Sequence, residues 1–299
     1  MAQKTKHLAG GMDDGAGPPE QAGGGTLYVV ATPIGNLDDI TSRARAVLAA
    51  ADLIAAEDTR HTRQLLAHCG IAGKLTSLRE HNEAAASEKL VALLATGKSV
   101  ALVSDAGTPC ISDPGARLVA AARASGHRVV PVPGANAAIA ALSASGVEGP
   151  FLFCGFLPAK AGERRHALER LSSLPFALVF YEAPHRVVEA VHDLAAALGG
   201  RRRFLIAREL TKQFESIHEC ALGDAEAWLV ADANRRRGEF VLIAGGAPAE
   251  RAALAADAER ALRVLLGELP LKQAVKLAAA ITGAPRNLLY ARALELAGA

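Results

Sequence analysis

Residues 100–115 have the sequence VALVSDAGTPCISDPG, which predicts a buried strand followed by a specialised loop. The run 100–103 is short and wholly apolar, as in a strand covered on both faces of a parallel sheet. The twelve residues after it contain two Asp, two Gly and two Pro, the residue types that build shaped turns. We therefore predict a ligand-holding loop at the carboxyl end of this strand.

Two other loops of similar composition follow predicted strands. Residues 27–31 lead into Thr32-Pro33-Ile34-Gly35-Asn36, and residues 128–132 lead into Pro133-Gly134-Ala135-Asn136-Ala137. Between them, apolar strand patterns alternate with helical ones, which predicts a parallel sheet with helices on both faces. Ligands bind such sheets outside the carboxyl ends of the strands, so the three loops are expected to line one crevice.

The remaining sequence predicts further domains. Residues 26–147 form the predicted N-terminal α/β domain, and 148–248 form a second α/β domain whose strand candidates suggest a mixed sheet. Residues 249–299 contain only helical patterns, including two short helices joined by a Gly-containing turn; these resemble a helix-turn-helix or form a helical cap. Residues 1–25 are rich in Gly with almost no apolar content, and we predict a disordered tail.

Composition narrows the function. No apolar block approaches the roughly 18 residues of a membrane helix, and no secretory signal is evident, so we expect a cytoplasmic protein without membrane contact. The four cysteines never approach Cys-x-x-Cys spacing, and the nine histidines show no metal-ligand pairing, so no metal is predicted. The net charge of +2 limits nucleic-acid binding to local clusters. Three such clusters are present, at 201–203, at 235–237, and at Lys272, Lys276, Arg286 and Arg292.

The loops also exclude the common phosphate-binding motifs. Neither Gly-x-Gly-x-x-Gly nor Gly-x-x-x-x-Gly-Lys-Ser/Thr occurs. The predicted crevice instead offers backbone groups and a few carboxylates, a surface that suits a neutral or cationic ligand with polar edges.

Six motifs carry a family resemblance: ATPIGNL (31–37), AEDTR (56–60), SDAGTP with ISDPG (104–115), GFLP (155–158), YEAPHR (181–186) and ARELTK (207–212). Together they resemble the 16S ribosomal RNA methyltransferases of the tetrapyrrole methylase superfamily, from about Thr26 to the C-terminus. The resemblance implies a two-domain α/β fold, a homodimer, and S-adenosylmethionine bound between the domains. It also implies methylation of the ribose 2′-hydroxyl of a cytidine in 16S ribosomal RNA of the small ribosomal subunit.

The resemblance also implies site residues. The expected cofactor contacts are Pro33, Ser104, Asp105, Ala106, Gly107, Ile111, Ala135, Asn136, Ala137, Phe156, Glu182 and Leu210. The chain departs from the family pattern at Ala135, where related sequences usually carry Pro. A ribose hydroxyl needs a base to accept its proton, and the candidates are Glu182, His185, Asp58 and Glu209. Glu182 is favoured, and Lys212 beside Glu209 is expected to stabilise negative charge on oxygen.

Two other functions fit part of this pattern. A methylase of a small tetrapyrrole would share the cofactor but would not need the helical extension or the basic clusters. A non-catalytic ribosome assembly factor would keep the RNA contacts and bind no cofactor.

Overall fold

A computed structural model describes residues 25–247 and 256–297. The tail predicted for residues 1–25 therefore lies, apart from Gly25, outside the described residues. Within the described ranges, no helix is both long enough and apolar enough to span a membrane. The same ranges contain no group of three or more His, Cys, Asp or Glu side chains arranged to hold a metal ion.

The first sheet contains five parallel strands. They are β1 (Thr26–Val30), β2 (Leu53–Ala56), β3 (Leu75–Ser77), β4 (Val100–Val103) and β5 (Arg128–Val132), in the order β3-β2-β4-β1-β5. Every residue of β4 is buried, as its apolar sequence predicted. The predicted parallel sheet is confirmed, and all five strands therefore end at the same edge.

Five helices accompany this sheet: α1 (Ser42–Ala50), α2 (Thr59–His68), α3 (Glu83–Ala95), α4 (Ala116–Ala124) and α5 (Ala137–Ser143). Thr41, Asp58 and Asn136 cap α1, α2 and α5, because each side chain accepts a hydrogen bond from a first-turn backbone N–H. Two separate apolar clusters flank the sheet, one including Leu48 and the other including Leu94. The sheet is thus covered on both faces.

The second sheet is mixed, as predicted. Its strands are β6 (Phe151–Phe156), β7 (Ala177–Glu182), β8 (Arg203–Arg208), β9 (Ser216–Ala221) and β10 (Phe240–Ala244), in the order β6-β7-β10-β8-β9. β6 and β7 are parallel, whereas β10 is antiparallel to both β7 and β8. Helices α6 (Ala161–Leu171), α7 (Val187–Leu198) and α8 (Leu222–Val230) accompany it, and the core includes Phe180 and Phe204.

Three helices make up the described C-terminal part: α9 (Ala256–Glu268), α10 (Leu271–Thr282) and α11 (Arg286–Ala297). Their shared core includes Leu262, Val275 and Leu289. α10 ends at Gly283, which has a φ of 69° and so turns the chain in a conformation that suits glycine. The predicted strand-free, helical extension is therefore present in the described residues.

The chain forms two compact units. One extends to Ala144 and also takes in Glu209–Ser216, while the other comprises Ser145–Arg208 and the residues from Ile217 onward. The sequence assigned 26–147, 148–248 and 249–299 to separate parts. The compact units instead group Glu209–Ser216 with the first unit and the C-terminal helices with the second.

Arg202 is a structural residue inside the second unit. It is only 4% exposed, and its guanidinium donates to the carbonyls of Leu198 (2.9 Å), Gly245 (3.1 Å) and Ser172. It thereby joins the ends of α7, β10 and α6. The sequence alone could not distinguish this buried arginine from one in a solvated basic turn.

We predict that Arg202→Ala lowers the free energy of unfolding by roughly 3 kcal/mol, because one buried and two partly buried carbonyls lose their donor. Chemical denaturation measures this loss. The neighbouring Arg201 is exposed, so Arg201→Ala should change stability by less than about 0.5 kcal/mol. Equal stability of the two variants would contradict the structural role of Arg202.

Candidate functional site

The loops after β1, β4 and β5 are tied to one another at one edge of the first sheet. Thr32 and Gly107 exchange backbone hydrogen bonds, 2.9 Å from Thr32 N to Gly107 O and 3.0 Å from Gly107 N to Thr32 O. The Thr108 hydroxyl donates to the carbonyl of Ala135 at 3.1 Å. The structure therefore brings together the three loops that the sequence singled out.

The first part of the β4 loop is fixed from within. The buried Ser104 hydroxyl donates to Ala106 O (3.3 Å) and Gly107 O (3.4 Å), and Thr32 Oγ1 donates to Ser104 O (3.2 Å). Gly107 has a φ of 81°, and an added Cβ would lie 3.3 Å from Ile34 Cγ2. Because the turn is held by buried contacts, it presents the exposed Asp105 and Ala106 in a defined arrangement.

The second part of the β4 loop holds two non-glycine residues in the left-handed region. Cys110 has a φ of 69° and Ser112 a φ of 70°, and Ile111 between them is exposed. Such conformations cost of order 1–3 kcal/mol each and occur preferentially at functional sites. The same loop is anchored at its far end by the buried Glu83, whose carboxylate accepts from Gly115 N (2.9 Å) and Arg117 N (3.0 Å).

The predicted contacts in the β1 and β5 loops occupy different environments. Pro33 is buried, whereas Ala135 and Ala137 are half-buried. Asn136 caps α5, with its side-chain oxygen accepting from Ile139 N at 3.1 Å. That oxygen is already used by the helix, so the side chain of Asn136 serves the local fold.

Carboxylates cluster where β2 and β4 end. Asp105 accepts from Asp58 N at 2.8 Å and lies 3.2 Å from His61 Nδ1. Asp58 accepts from Arg60 through both backbone and side chain, and the pKa of Asp58 is held well below its usual range by Arg60. The sequence named Asp58 as a candidate base, but this ion pair disfavours proton uptake there.

Glu57 and Asp113 complete this carboxylate cluster, and the sequence did not single them out. Burial and the charge of Asp105 raise the pKa of Glu57. Burial and the charge of Glu57 raise the pKa of Asp113 to about 6. Mutual repulsion of this kind is relieved by a cation, so this edge favours a positively charged ligand. Glu57 and Asp113 both lie in motifs that the sequence had marked, after β2 and after β4. That position was the feature of the sequence from which their role could have been predicted.

Within the same unit, the segment Glu209–Ser216 contacts the β1 loop. Asn36 N donates to Thr211 Oγ1 at 3.0 Å, and a Cβ on Gly35 would lie 2.4 Å from Lys212 Cγ. Glu209 (φ 52°) and Thr211 (φ 66°) both adopt left-handed conformations. Lys212 Nζ donates to Glu209 Oε1 at 2.8 Å, and Leu210 is buried.

In the second unit, Glu182 is 2% exposed and ends β7. Its Oε1 accepts from Ala183 N at 2.8 Å and lies 3.3 Å from Arg186 Nε, while its Oε2 has no hydrogen-bond partner among the described residues. Burial raises the pKa of Glu182. Arg186 in turn donates to the carbonyls of Leu157 (2.5 Å) and Pro158 (3.2 Å), so Glu182 and Arg186 together position the loop after β6.

Two other predicted residues of this unit are exposed. His185 lies in the turn after β7. Phe156 is 53% exposed and packs edge-to-face against Tyr181, with ring centroids 5.7 Å apart. His185 thus lies between Glu182 and Arg186 in sequence, and strand pairing places Phe156 beside Tyr181, the residue that precedes Glu182.

We predict that Asp113→Asn raises stability at pH 7–8. Burial and the charge of Glu57 raise the pKa of Asp113 in the folded protein from its ordinary value of 3.8 to about 6. The stabilising contribution of Asp113 is therefore complete below pH 4 and is lost as the pH rises through 6. The neutral variant avoids that loss, and we expect a gain of about 1–2 kcal/mol at neutral pH and none near pH 4.

Chemical denaturation across pH 4–8 measures the difference. The contrasting variant is Asp52→Asn, because hydrogen bonds from Ser99 lower the pKa of Asp52. That variant should lose stability at neutral pH and approach the wild type in acid. A pH-independent effect of Asp113→Asn would contradict the carboxylate cluster.

Comparisons with known proteins agree with this architecture. The family model described as Tetrapyrrole (Corrin/Porphyrin) Methylases matches residues 26–226, and the one described as RsmI C-terminal HTH domain matches residues 252–297. A solved structure of uroporphyrin-III C-methyl transferase from Thermus thermophilus, complexed with S-adenyl homocysteine, is similar with a TM-score of 0.53. The similarity covers 74% of this chain and 97% of that chain at 19% identity, and supports the fold.

Similarity in sequence is much stronger for two proteins called ribosomal RNA small subunit methyltransferase I. The Escherichia coli O157:H7 protein is 53% identical over 92% of this chain and 96% of its own length. The Pseudomonas aeruginosa protein is 52% identical over 92% of this chain and 98% of its own length. The chain therefore belongs to the tetrapyrrole methylase family and, within it, to the group of ribosomal RNA small subunit methyltransferase I proteins.

Proposed function

We propose that this protein is an S-adenosylmethionine-dependent methyltransferase that modifies the ribose 2′-hydroxyl of a cytidine in 16S ribosomal RNA. The observation that carries the proposal is 53% identity, over nearly the whole of both chains, to a protein called ribosomal RNA small subunit methyltransferase I. The strained β4 loop and the carboxylates beside it support the cofactor part of the proposal. The match of residues 252–297 to a helix-turn-helix domain supports an RNA substrate.

The first unit fits the chemistry of S-adenosylmethionine, which supplies a methyl group from a sulfonium cation. Glu57, Asp105 and Asp113 concentrate negative charge at one edge of the sheet, and the pKa values of Glu57 and Asp113 are raised first by burial and then by the neighbouring carboxylates. A cation bound there would relieve the repulsion. The proposed contacts in this unit are Pro33, Ser104, Asp105, Ala106, Gly107, Ile111, Ala135, Asn136, Ala137 and Leu210.

In the proposed reaction, the ribose oxygen forms a bond to the methyl carbon while the bond from that carbon to sulfur breaks. The hydroxyl proton passes to a base of the protein. The loops accelerate this step chiefly by holding the two reacting atoms in line. S-adenosylhomocysteine leaves as the second product, so atoms and charge balance.

Among the candidate bases, the geometry favours His185. Its imidazole is exposed, whereas Glu182 is buried and Asp58 is held in an ion pair with Arg60. Glu182 is instead suited to positioning, through Arg186 and the carbonyls of the loop after β6. The roles inferred from the resemblance for Lys212 in charge stabilisation, and for Phe156 and Glu182 as cofactor contacts, stay predictions. So do the homodimer and the cytoplasmic location.

A small-molecule tetrapyrrole methylase is the second candidate, because the family model over residues 26–226 takes its name from that chemistry. The C-terminal helices favour ribosomal RNA as the substrate, because an enzyme acting on a small molecule would not need them. A non-catalytic assembly factor would leave the strained β4 loop and its carboxylates unexplained.

We predict that purified protein transfers a labelled methyl group from S-adenosylmethionine to 16S RNA, supplied as 30S subunits or as free RNA. Nuclease digestion should place the label on the 2′-oxygen of one cytidine, which makes the following phosphodiester bond resistant to alkali. His185→Ala should lower kcat by about 100-fold or more, as expected for loss of a general base.

The matched control is His192→Ala, which removes an exposed imidazole that pairs with Glu226 on the surface, and it should leave the rate unchanged. Label in a tetrapyrrole such as uroporphyrinogen III, and none in RNA, would support the small-molecule enzyme. Binding of 30S subunits without any methyl transfer would support the assembly factor.

A further inference from the structure

Two of the basic clusters of the sequence, 201–203 and 235–237, have different roles in the structure. In the cluster 201–203, Arg202 is buried against backbone carbonyls, and Arg203 pairs with Glu219 at 2.6 Å and donates to Ser145 O at 2.7 Å. These side chains hold the second unit together and sit where β8 begins. The cluster 235–237 lies at a different edge of the sheet, and different hydrogen bonds hold it.

Strand pairing places the 235–237 cluster at the edge of the second sheet that carries Glu182 and the proposed base His185. Phe240, the first residue of β10, pairs with Glu182 at the end of β7 and with Arg208 at the end of β8. The chain entering β10 therefore lies at the carboxyl ends of β7 and β8. Residues 232–238, which we call the arginine loop, are consequently on the same edge of the sheet as Glu182 and His185.

Hydrogen bonds from outside and inside fix the arginine loop. Arg208 Nη1 donates to the carbonyls of Asn234 and Arg237, each at 3.2 Å. Asp232 Oδ1 accepts from Asn234 N at 2.8 Å and caps the short 3₁₀ turn Ala233–Arg236. The backbone that carries the last two arginines is thus held in one conformation.

Arg235 is used to anchor the same loop to α8. Its guanidinium lies 4.5 Å from the centre of the Trp228 ring and donates to Trp228 O at 3.0 Å. The Trp228 ring is itself stacked on His218, with centroids 4.0 Å apart and planes 5° from parallel. Such a cation–π contact contributes about 0.5–2 kcal/mol, so the loop has a stable attachment.

The anchoring leaves Arg236 and Arg237 exposed. Within the part of the chain that the structure describes, neither forms an ion pair. Two adjacent guanidinium groups on a fixed backbone suit phosphate, because Arg presents planar, paired donors and little loop entropy remains to be lost on binding. Phosphate contacts fix the register of a nucleic acid without reading its sequence.

We propose that Arg236 and Arg237 bind the phosphodiester backbone of the ribosomal RNA strand close to the nucleotide that accepts the methyl group. This inference rests on the proposed function and adds to it a surface that positions the substrate. The arginine loop acts on RNA binding and not on the cofactor, so its removal weakens the RNA complex while S-adenosylmethionine binding is retained.

The test compares the double variant Arg236→Ala/Arg237→Ala with the wild-type full-length protein. We expect the KM for 30S subunits or free 16S RNA to rise roughly tenfold, with kcat within about twofold and the affinity for S-adenosylmethionine unchanged. A plot of log KM against log salt concentration should lose a slope of about 1–2, since each phosphate contact contributes close to one. The double Lys variant, which keeps both charges, should recover most of that slope.

The matched control is Arg170→Ala/Arg201→Ala. Both arginines are exposed on the second unit, but Arg170 lies in the last turn of α6 and Arg201 precedes β8, so they lie at the opposite edge of the sheet. This control should behave as the wild type does. Thermal unfolding of each variant verifies that the fold is kept.

Two results would overturn the arginine loop as a substrate surface. One is an unchanged KM and salt slope in the 236/237 variant, and the other is an equal loss in the control. In both cases the wild type would still methylate RNA, and the proposed function would stand. Absence of methyl transfer by the wild type would overturn the proposed function and this inference together.

Discussion

The reciprocal backbone pair between Thr32 and Gly107 is the contact on which the first unit depends. It joins the loops after β1 and β4, the latter of which is tied to the loop after β5 through Thr108 and Ala135. Because β1, β4 and β5 are parallel, they all end at the same edge of the sheet, and the loops that follow them meet there. The interior of the sheet is apolar, so this edge is where the fold can place polar groups and strained backbone for a ligand.

At this edge the first unit places several carboxylates close together, which is electrostatically unfavourable. Asp105 is held by the backbone of Asp58, while burial and neighbouring negative charge raise the pKa values of Glu57 and Asp113. A protein that gained only stability from this edge would not concentrate carboxylates on it. A cationic cofactor gives the arrangement a purpose, since its charge compensates the repulsion only while it is bound. Catalysis by in-line transfer then requires positioning more than strong acid–base chemistry.

The sequence predicted local features well and long-range ones poorly. Apolar runs ending in Pro and Gly turns predicted the parallel strands and the edge where β1, β4 and β5 end. The grouping of Glu209–Ser216 with the first unit depends on contacts such as Asn36 to Thr211, 175 residues apart, and no local pattern encodes them. Nor could the sequence separate Arg202 from Arg236, because the partners of Arg202 are backbone carbonyls, which every residue possesses.

Calorimetric titration with S-adenosylmethionine and with S-adenosylhomocysteine, which lacks the sulfonium charge, tests the central claim most directly. Asp105→Asn should lower the affinity for S-adenosylmethionine by about tenfold, as expected for loss of a hydrogen-bonded charge. It should lower the affinity for the neutral S-adenosylhomocysteine much less. Asp52→Asn, which removes a carboxylate bonded to Ser99 where β2 and β4 begin, should change neither affinity. Equal effects of Asp105→Asn on both ligands, or none, would contradict an edge built to hold a cation.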